Sequence, residues 1–201
     1  MMSRCASVLV SAMTAVAIAL SGTASADPID DRMGDYGDPV TQPVFIPAPN
    51  GWEPLYPWPF DELRNQVTPT DITAVGEMCQ WFNAQYLEIR RQIDRLNNTI
   101  IRHNGDFAAP EVAQRLETVL GNINQAVSFL SPRAQALTQS HDYAGDMFFP
   151  IYQGDSFYGL WQQLSNVGAG LAARQPTWFT GPSVMRAKHW GSKIDRSHAC
   201  R

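Results

Sequence analysis

"TPTDITAVGEMCQWFNAQYLEIRRQIDRLNNTIIRHNGD", residues 68–106, decides the fold. Its apolar residues Ile72, Val75, Cys79, Phe82, Tyr86, Ile89, Ile93, Leu96 and Ile100 recur at alternating spacings of three and four. That spacing lays all of them along one seam of a long helix that packs lengthwise on another helix. Pro69 with Thr70 or Asp71 supplies a start signal, and Asn104-Gly105 supplies a stop. Arg90, Arg91, Asp94 and Arg95 fall mostly off the seam, as a solvated flank with i,i+4 pairing does.

Working outward, Pro110 opens a second helix at the favoured first position. Val112, Leu116, Val119, Ile123, Ala126 and Leu130 repeat the spacing, so the two segments read as an antiparallel hairpin joined at 103–109. Ser131-Pro132 is expected to break and restart this helix, which continues to about His141. A third segment, 156–174, carries Phe157, Leu160, Trp161, Leu164, Val167 and Leu171, and a short last helix spans 183–198. No segment alternates as a strand would. The expected fold is all-α: a long antiparallel helical hairpin plus two shorter helices, with an extended Pro/aromatic-rich arm ahead of them.

The first 26 residues read as a signal peptide: Arg4, an apolar run from Ala6 to Leu20, and the small-x-small ending Ala24-Ser25-Ala26. The run is too short to span a bilayer, which takes about 20 apolar residues, so cleavage before Asp27 is expected to leave no membrane anchor. Cleavage takes Arg4 from the 15 basic residues and none of the 19 acidic ones, so the mature chain carries a net charge of −5. No global positive field would then draw in nucleic acid.

Cys5 leaves with the signal peptide. The even pair that remains, Cys79 and Cys200, reads as a disulfide in an oxidising compartment, ahead of two free thiols or an intermolecular bridge. It would tie the C-terminus to the first helix.

Eight of the fourteen prolines fall between Pro28 and Pro59, so residues 27–68 form an arm rather than a helix, and 69–201 form the helical domain. The arm's acidic first part is expected to be disordered. Its second part carries Phe45, Trp52, Tyr56, Trp58 and Phe60, too many large groups to leave solvated. They are expected to wrap the domain; a docking strip for a partner is the sharper alternative.

Two resemblances bear on function. Gly154-Asp155-Ser156-Phe157 resembles the nucleophile block of the GDSL-type esterases, and Asp195-x-x-His198 resembles their distal acid and base. That family implies an α/β fold with the serine early in the chain. Here the serine is late and parallel strands are missing from the pattern, so a helix N-cap is the preferred reading. As a whole, the chain is similar in style to the small exported helical proteins of actinobacteria, a likeness that implies envelope work.

The histidine groupings, His141-Asp142 with Asp146 and His189 with His198 and Cys200, lack the close repeated spacing of a zinc site, so neither a metal nor a cofactor is expected. Asn97-Asn98-Thr99 matches a glycosylation acceptor but falls inside a helix.

The sequence therefore points to a monomeric, secreted, non-catalytic binding or assembly protein of the cell envelope or extracellular space. Arg186, Lys188, Lys193, Arg196 and Arg201 form a candidate patch for anionic lipid, cell-wall polymer or an acidic envelope protein. The alternative is a carrier of an apolar ligand, lipid or haem-like, in a pocket between helices lined by Phe82, Tyr86 and Trp161.

Overall fold

The computed structural model describes residues 38–141, 147–175 and 181–201, without the side chain of His141. The expected signal peptide and the acidic start of the arm lie outside the described residues.

Helix α1 (Pro69–Trp81) starts earlier than expected, because its N-cap is Thr68, two residues before Thr70 and three before Asp71. Its hydroxyl accepts from the Asp71 N–H while the Asp71 carboxylate accepts from the Thr68 N–H at 2.8 Å, a reciprocal capping box. Asp71 is fully buried, and its carboxylate also accepts from the Thr138 N–H at 2.6 Å and the Thr138 hydroxyl at 2.9 Å. A group that caps one helix therefore also holds the chain leaving another.

A π-helical turn (Phe82–Tyr86) joins α1 without a break to α2 (Leu87–Arg102). The wide turn brings the Phe82 and Tyr86 rings into a parallel stack, centroids 4.5 Å apart. Beyond α2, Asn104 and Gly105 take positive φ and the Gly105 N–H reaches back to the Ile100 carbonyl at 2.9 Å, closing the helix as their sequence implied.

Helix α3 (Pro110–Ala136) departs from expectation twice. It runs straight through Pro132, and it stops at Ala136 instead of continuing to about His141. Proline costs a helix one N–H bond and crowds the carbonyl four residues back. That cost falls near the helix end, where the Arg133 guanidinium binds the Phe129 carbonyl at 2.7 Å and the Glu77 carboxylate at 2.6 Å. Past α3, strands β1 (Ser140–His141) and β2 (Met147–Phe148) pair antiparallel, Ser140 opposite Phe148, two residues each and too short to alter an all-α architecture.

Helices α4 (Gly154–Ala172) and α5 (Pro182–Ser197) complete the bundle. α3 packs along both α1–α2 and α4, and α4 packs along α5. Two glycines permit the tightest approaches. Trp190 of α5 lies so close to Gly159 that a Cβ there would sit 2.5 Å from its ring, and a Cβ on Gly191 would collide with the Tyr86 hydroxyl.

Past its first residue, the half-buried Ile72, the seam of the first helix is closed by these partners: Ile89, Leu96 and Ile100 are at most 1% exposed, and Ile93 is 5% exposed. Leu96→Asp should therefore leave a chain without cooperative helical circular dichroism. An unpaired buried carboxylate costs several kcal/mol against a total stability of about 5 to 15. A folded Leu96→Asp protein would mean that this face is not sealed.

Candidate functional site

The arm crosses the helices with no strand to pair against, so its peptide groups need other partners. Four side-chain amides supply them. Gln80 makes two bonds with Ala48, donating Nε2 to its carbonyl at 2.9 Å and accepting its N–H at 3.0 Å. Asn122 of α3 also makes two bonds, to residues six and eight positions earlier in the arm, accepting the Gln42 N–H at 2.8 Å and donating to the Val40 carbonyl at 2.9 Å. Gln92 also donates to Val40 at 3.1 Å, and Gln85 donates to the Pro43 carbonyl at 2.7 Å. Gln92 and Asn122 are themselves joined at 2.7 Å. As arm numbers rise from Val40 to Ala48, helix numbers fall from Gln92 to Gln80, so the arm runs antiparallel to α1–α2.

Two aromatic side chains seat the arm between these bonds. Phe45 meets the Phe129 ring edge-on, centroids 5.1 Å apart, and Phe129 in turn stacks on the fully buried Trp81. Trp52 packs against the bare backbone of Gly76, and its indole N–H donates to the Ala199 carbonyl at 2.9 Å. Beside it the Cys79–Cys200 disulfide closes the chain across 121 residues, and Asn83 donates to the Cys200 carbonyl at 2.7 Å. Arm, seam helix and C-terminus thus meet at one place. A loop of this length gives about 4 to 5 kcal/mol in the chain-entropy account.

The aromatic groups of the arm divide. Phe45 and Trp52 pack on the core, Phe60 meets Tyr152 edge-on at 5.2 Å, and Tyr56 carries Arg64 over its ring at 4.3 Å. Trp58 stays 81% exposed. With it, Val40, Val44, Ile46 and Leu55 also face solvent, so five of the nine large apolar side chains exposed among the described residues lie on the arm. The carboxylates of Glu53, Asp61 and Glu62, close to Leu55 and Trp58 in the sequence, are exposed too.

The other expected site residues separate. Phe82 and Tyr86 stack on one another, and Phe82 also meets Phe157. Trp161 instead pairs with Tyr158, which leans on Phe149. The three named for one ligand pocket therefore belong to two aromatic clusters. A small cleft of about 10 Å³ does lie beside Tyr86, between α2 and α5, with Arg90, Asp94 and Lys188 at its rim. Burial pushes the Tyr86 phenol up to about 12 against the opposing pull of Arg90.

In the basic patch, Lys188 is paired with Asp94 at 2.5 Å and Lys193 with Asp155 at 2.9 Å. Arg186, Arg196 and Arg201 are exposed and have no carboxylate partner among the described residues. Ser156 is fully buried, its hydroxyl bonded to Gln153 at 2.7 Å and to Asp155 at 3.2 Å. It stands inside the first turn of α4, whose N-cap is Gln153, so the serine is not the cap that its sequence suggested. The Asp142 and Asp146 side of the candidate cation loop lies outside the described residues, and no three His, Cys, Asp or Glu side chains gather for a metal among the described ones.

The amides that hold the arm are the residues sequence reasoning missed. Their signal was faint: Gln80, Gln85 and Gln92 are uncharged polar residues beside the seam, on a helix whose remaining flank is rich in charge. Comparison of the chain with protein-family models, with curated proteins and with solved structures found no match.

The start of the described arm is moored by charge. Asp38 pairs with Arg115 at 3.3 Å, and Arg115 pairs with Glu111 at 2.7 Å. Glu111 also takes His103 at 3.0 Å and Arg102 at 3.2 Å. The His103 and Arg115 bonds hold the Glu111 carboxyl down at about 2, below its ordinary 4.5. A lowered carboxylate contributes stability that is complete above its unfolded value and is lost as pH falls through its folded one. Acid titration should therefore cost the natural chain more stability than Glu111→Gln between pH 4.5 and about 2. The group is exposed, and added salt should shrink the difference. Parallel acid curves would remove Glu111 from the account.

Proposed function

We propose that this chain is an exported, non-catalytic binding or assembly protein of the cell envelope or extracellular space, and that its working surface is the outward ridge of the arm. One observation carries the reading: five of the nine exposed large apolar side chains among the described residues lie on residues 40–58, and three of them, Val40, Val44 and Ile46, stand on the stretch 40–48 whose inner edge is fixed by Gln80, Gln85, Gln92 and Asn122. A ridge fixed in this way meets a partner without first being ordered, which saves binding free energy. A cluster of exposed apolar groups with an exposed tryptophan at one end has the chemistry of an interaction site.

The flanking Glu53, Asp61 and Glu62 fit a protein partner that offers an apolar groove with a basic rim. They would repel anionic lipid and cell-wall polymer. Those anions suit α5 and the C-terminal residue after it better, where Arg186, Arg196 and Arg201 remain unneutralised by described carboxylates.

A carrier reading draws less support. The cleft beside Tyr86 holds about 10 Å³, room for no more than a water, far below the roughly 300 to 1,000 Å³ of ligand pockets. Esterase chemistry would need the buried Ser156 hydroxyl to leave Gln153 and Asp155.

Photo-crosslinking in the native host tests the ridge. A benzophenone side chain at Ile46 or Trp58 should give one discrete protein adduct, and the same group at exposed Arg174 should give none. Val44→Ser with Trp58→Ser should abolish the adduct while leaving stability within about 0.5 kcal/mol per site, because both side chains are solvated. Equal labelling from Arg174, or an adduct that survives the double substitution, would place the function elsewhere.

A further inference from the structure

We propose that the groove between α1–α2 and α3 is a main-chain-reading receptor for an extended, proline-spaced segment, and that its second occupant is the arm of another copy of this chain. Two molecules would then associate by exchanging residues 40–52. The inference stands on the groove floor and does not rest on the outward ridge.

Every bond that Gln80, Gln85, Gln92 and Asn122 make to the arm goes to a peptide group, and none goes to an arm side chain. With the arm seated, Gln85, Gln92 and Asn122 are at most 5% exposed, and each has a bonded partner there, as buried amides require. Amides that read only the backbone set direction and register. Selection comes from two aromatic seats, at Phe129 for Phe45 and at Gly76 with the Ala199 carbonyl for Trp52. A segment with Phe and Trp seven residues apart on an extended chain fills both, and the identical segment of a second copy does so with the same bonds.

The connection to α1 allows the exchange. Between Glu53 and Gln66 the backbone bonds are local, each closing within three residues, and the contacts to the body include the Phe60 ring on Tyr152. Val67 packs on the core and Thr68 caps α1, so the hinge ends there. Its 14 residues reach about 45 Å when extended, beyond the roughly 30 Å width of a small domain.

Pro39, Pro43 and Pro47 add a second constraint. They remove N–H groups from a freed arm and so hinder its pairing as a strand, which leaves an amide groove as the partner it fits. Reciprocal exchange gives a closed two-fold dimer.

The test uses the full chain. Unlabelled and 15N-labelled wild-type protein, mixed at about 1 mM to compete with the millimolar effective concentration of a tethered arm, should yield a mixed-mass dimer by native mass spectrometry. Phe45→Ala/Trp52→Ala should yield none. That variant has an undocked arm, so a fluorescein-labelled synthetic peptide of residues 38–53 should bind it at least about tenfold more tightly than wild type, where the tethered arm competes. Adding Gln80→Ala and Asn122→Ala should weaken the peptide by about tenfold or more, since each removes a two-bond amide contact. Should Phe45→Ala/Trp52→Ala fail to fold, Gln80→Ala/Asn122→Ala replaces it as the dimer control. Wild-type protein that stays monomeric at 1 mM overturns the exchange. A folded, arm-free variant that ignores the peptide overturns the receptor.

Discussion

A backbone laid across helices has no ladder to join, and its peptide groups cannot be abandoned against a protein surface without cost. This molecule meets the constraint with side-chain amides that imitate half of a strand pair. Gln80 and Asn122 each offer one acceptor and one donor to the arm, the pattern that a neighbouring peptide would offer. The prolines of the arm fit the same solution, since a residue without an N–H asks for no donor's partner. What the arm displays outward, and where it begins and ends, follows from this inner edge.

The far end of the arm is fixed by a convergence of three chain segments. Trp52 gives its indole proton to the Ala199 carbonyl, Asn83 gives its amide proton to Cys200, and the disulfide joins Cys200 to the seam helix at Cys79. Each depends on the others for position. Without the disulfide the C-terminal turn is a frayed end, and without that turn Trp52 has an indole N–H and no acceptor. The covalent closure therefore supports the arm as well as the bundle.

The helices were legible because burial imposes a period on sequence. Nine seam residues in the first helix and six in the second announced an αα hairpin, and the cysteine in that seam pointed to the C-terminal one. Local competition hid the rest. Thr68 displaced the expected caps because its reciprocal bond with Asp71 satisfies two groups at once. Pro132 does not break α3 because it stands only four residues before the helix ends at Ala136, where one missing bond costs little. The π turn at Phe82–Tyr86 has no signature in a pattern that counts threes and fours. The arm's docking was half visible: five aromatic groups implied burial, yet Trp58 stays in solvent. The amides that do the holding look, in one dimension, like ordinary solvated flank.

Amide hydrogen exchange along the arm, resolved residue by residue, tests the docking itself. The N–H groups of Gln42 and Ala48 donate to Asn122 and Gln80, whereas those of Val44, Phe45 and Ile46 have no acceptor among the described residues. Docking predicts slowed exchange at Gln42 and Ala48, on either side of fast-exchanging Val44, Phe45 and Ile46. Uniformly fast exchange from Val40 to Ala48 would contradict it, because the arm would then be solvated chain that only rests on the helices.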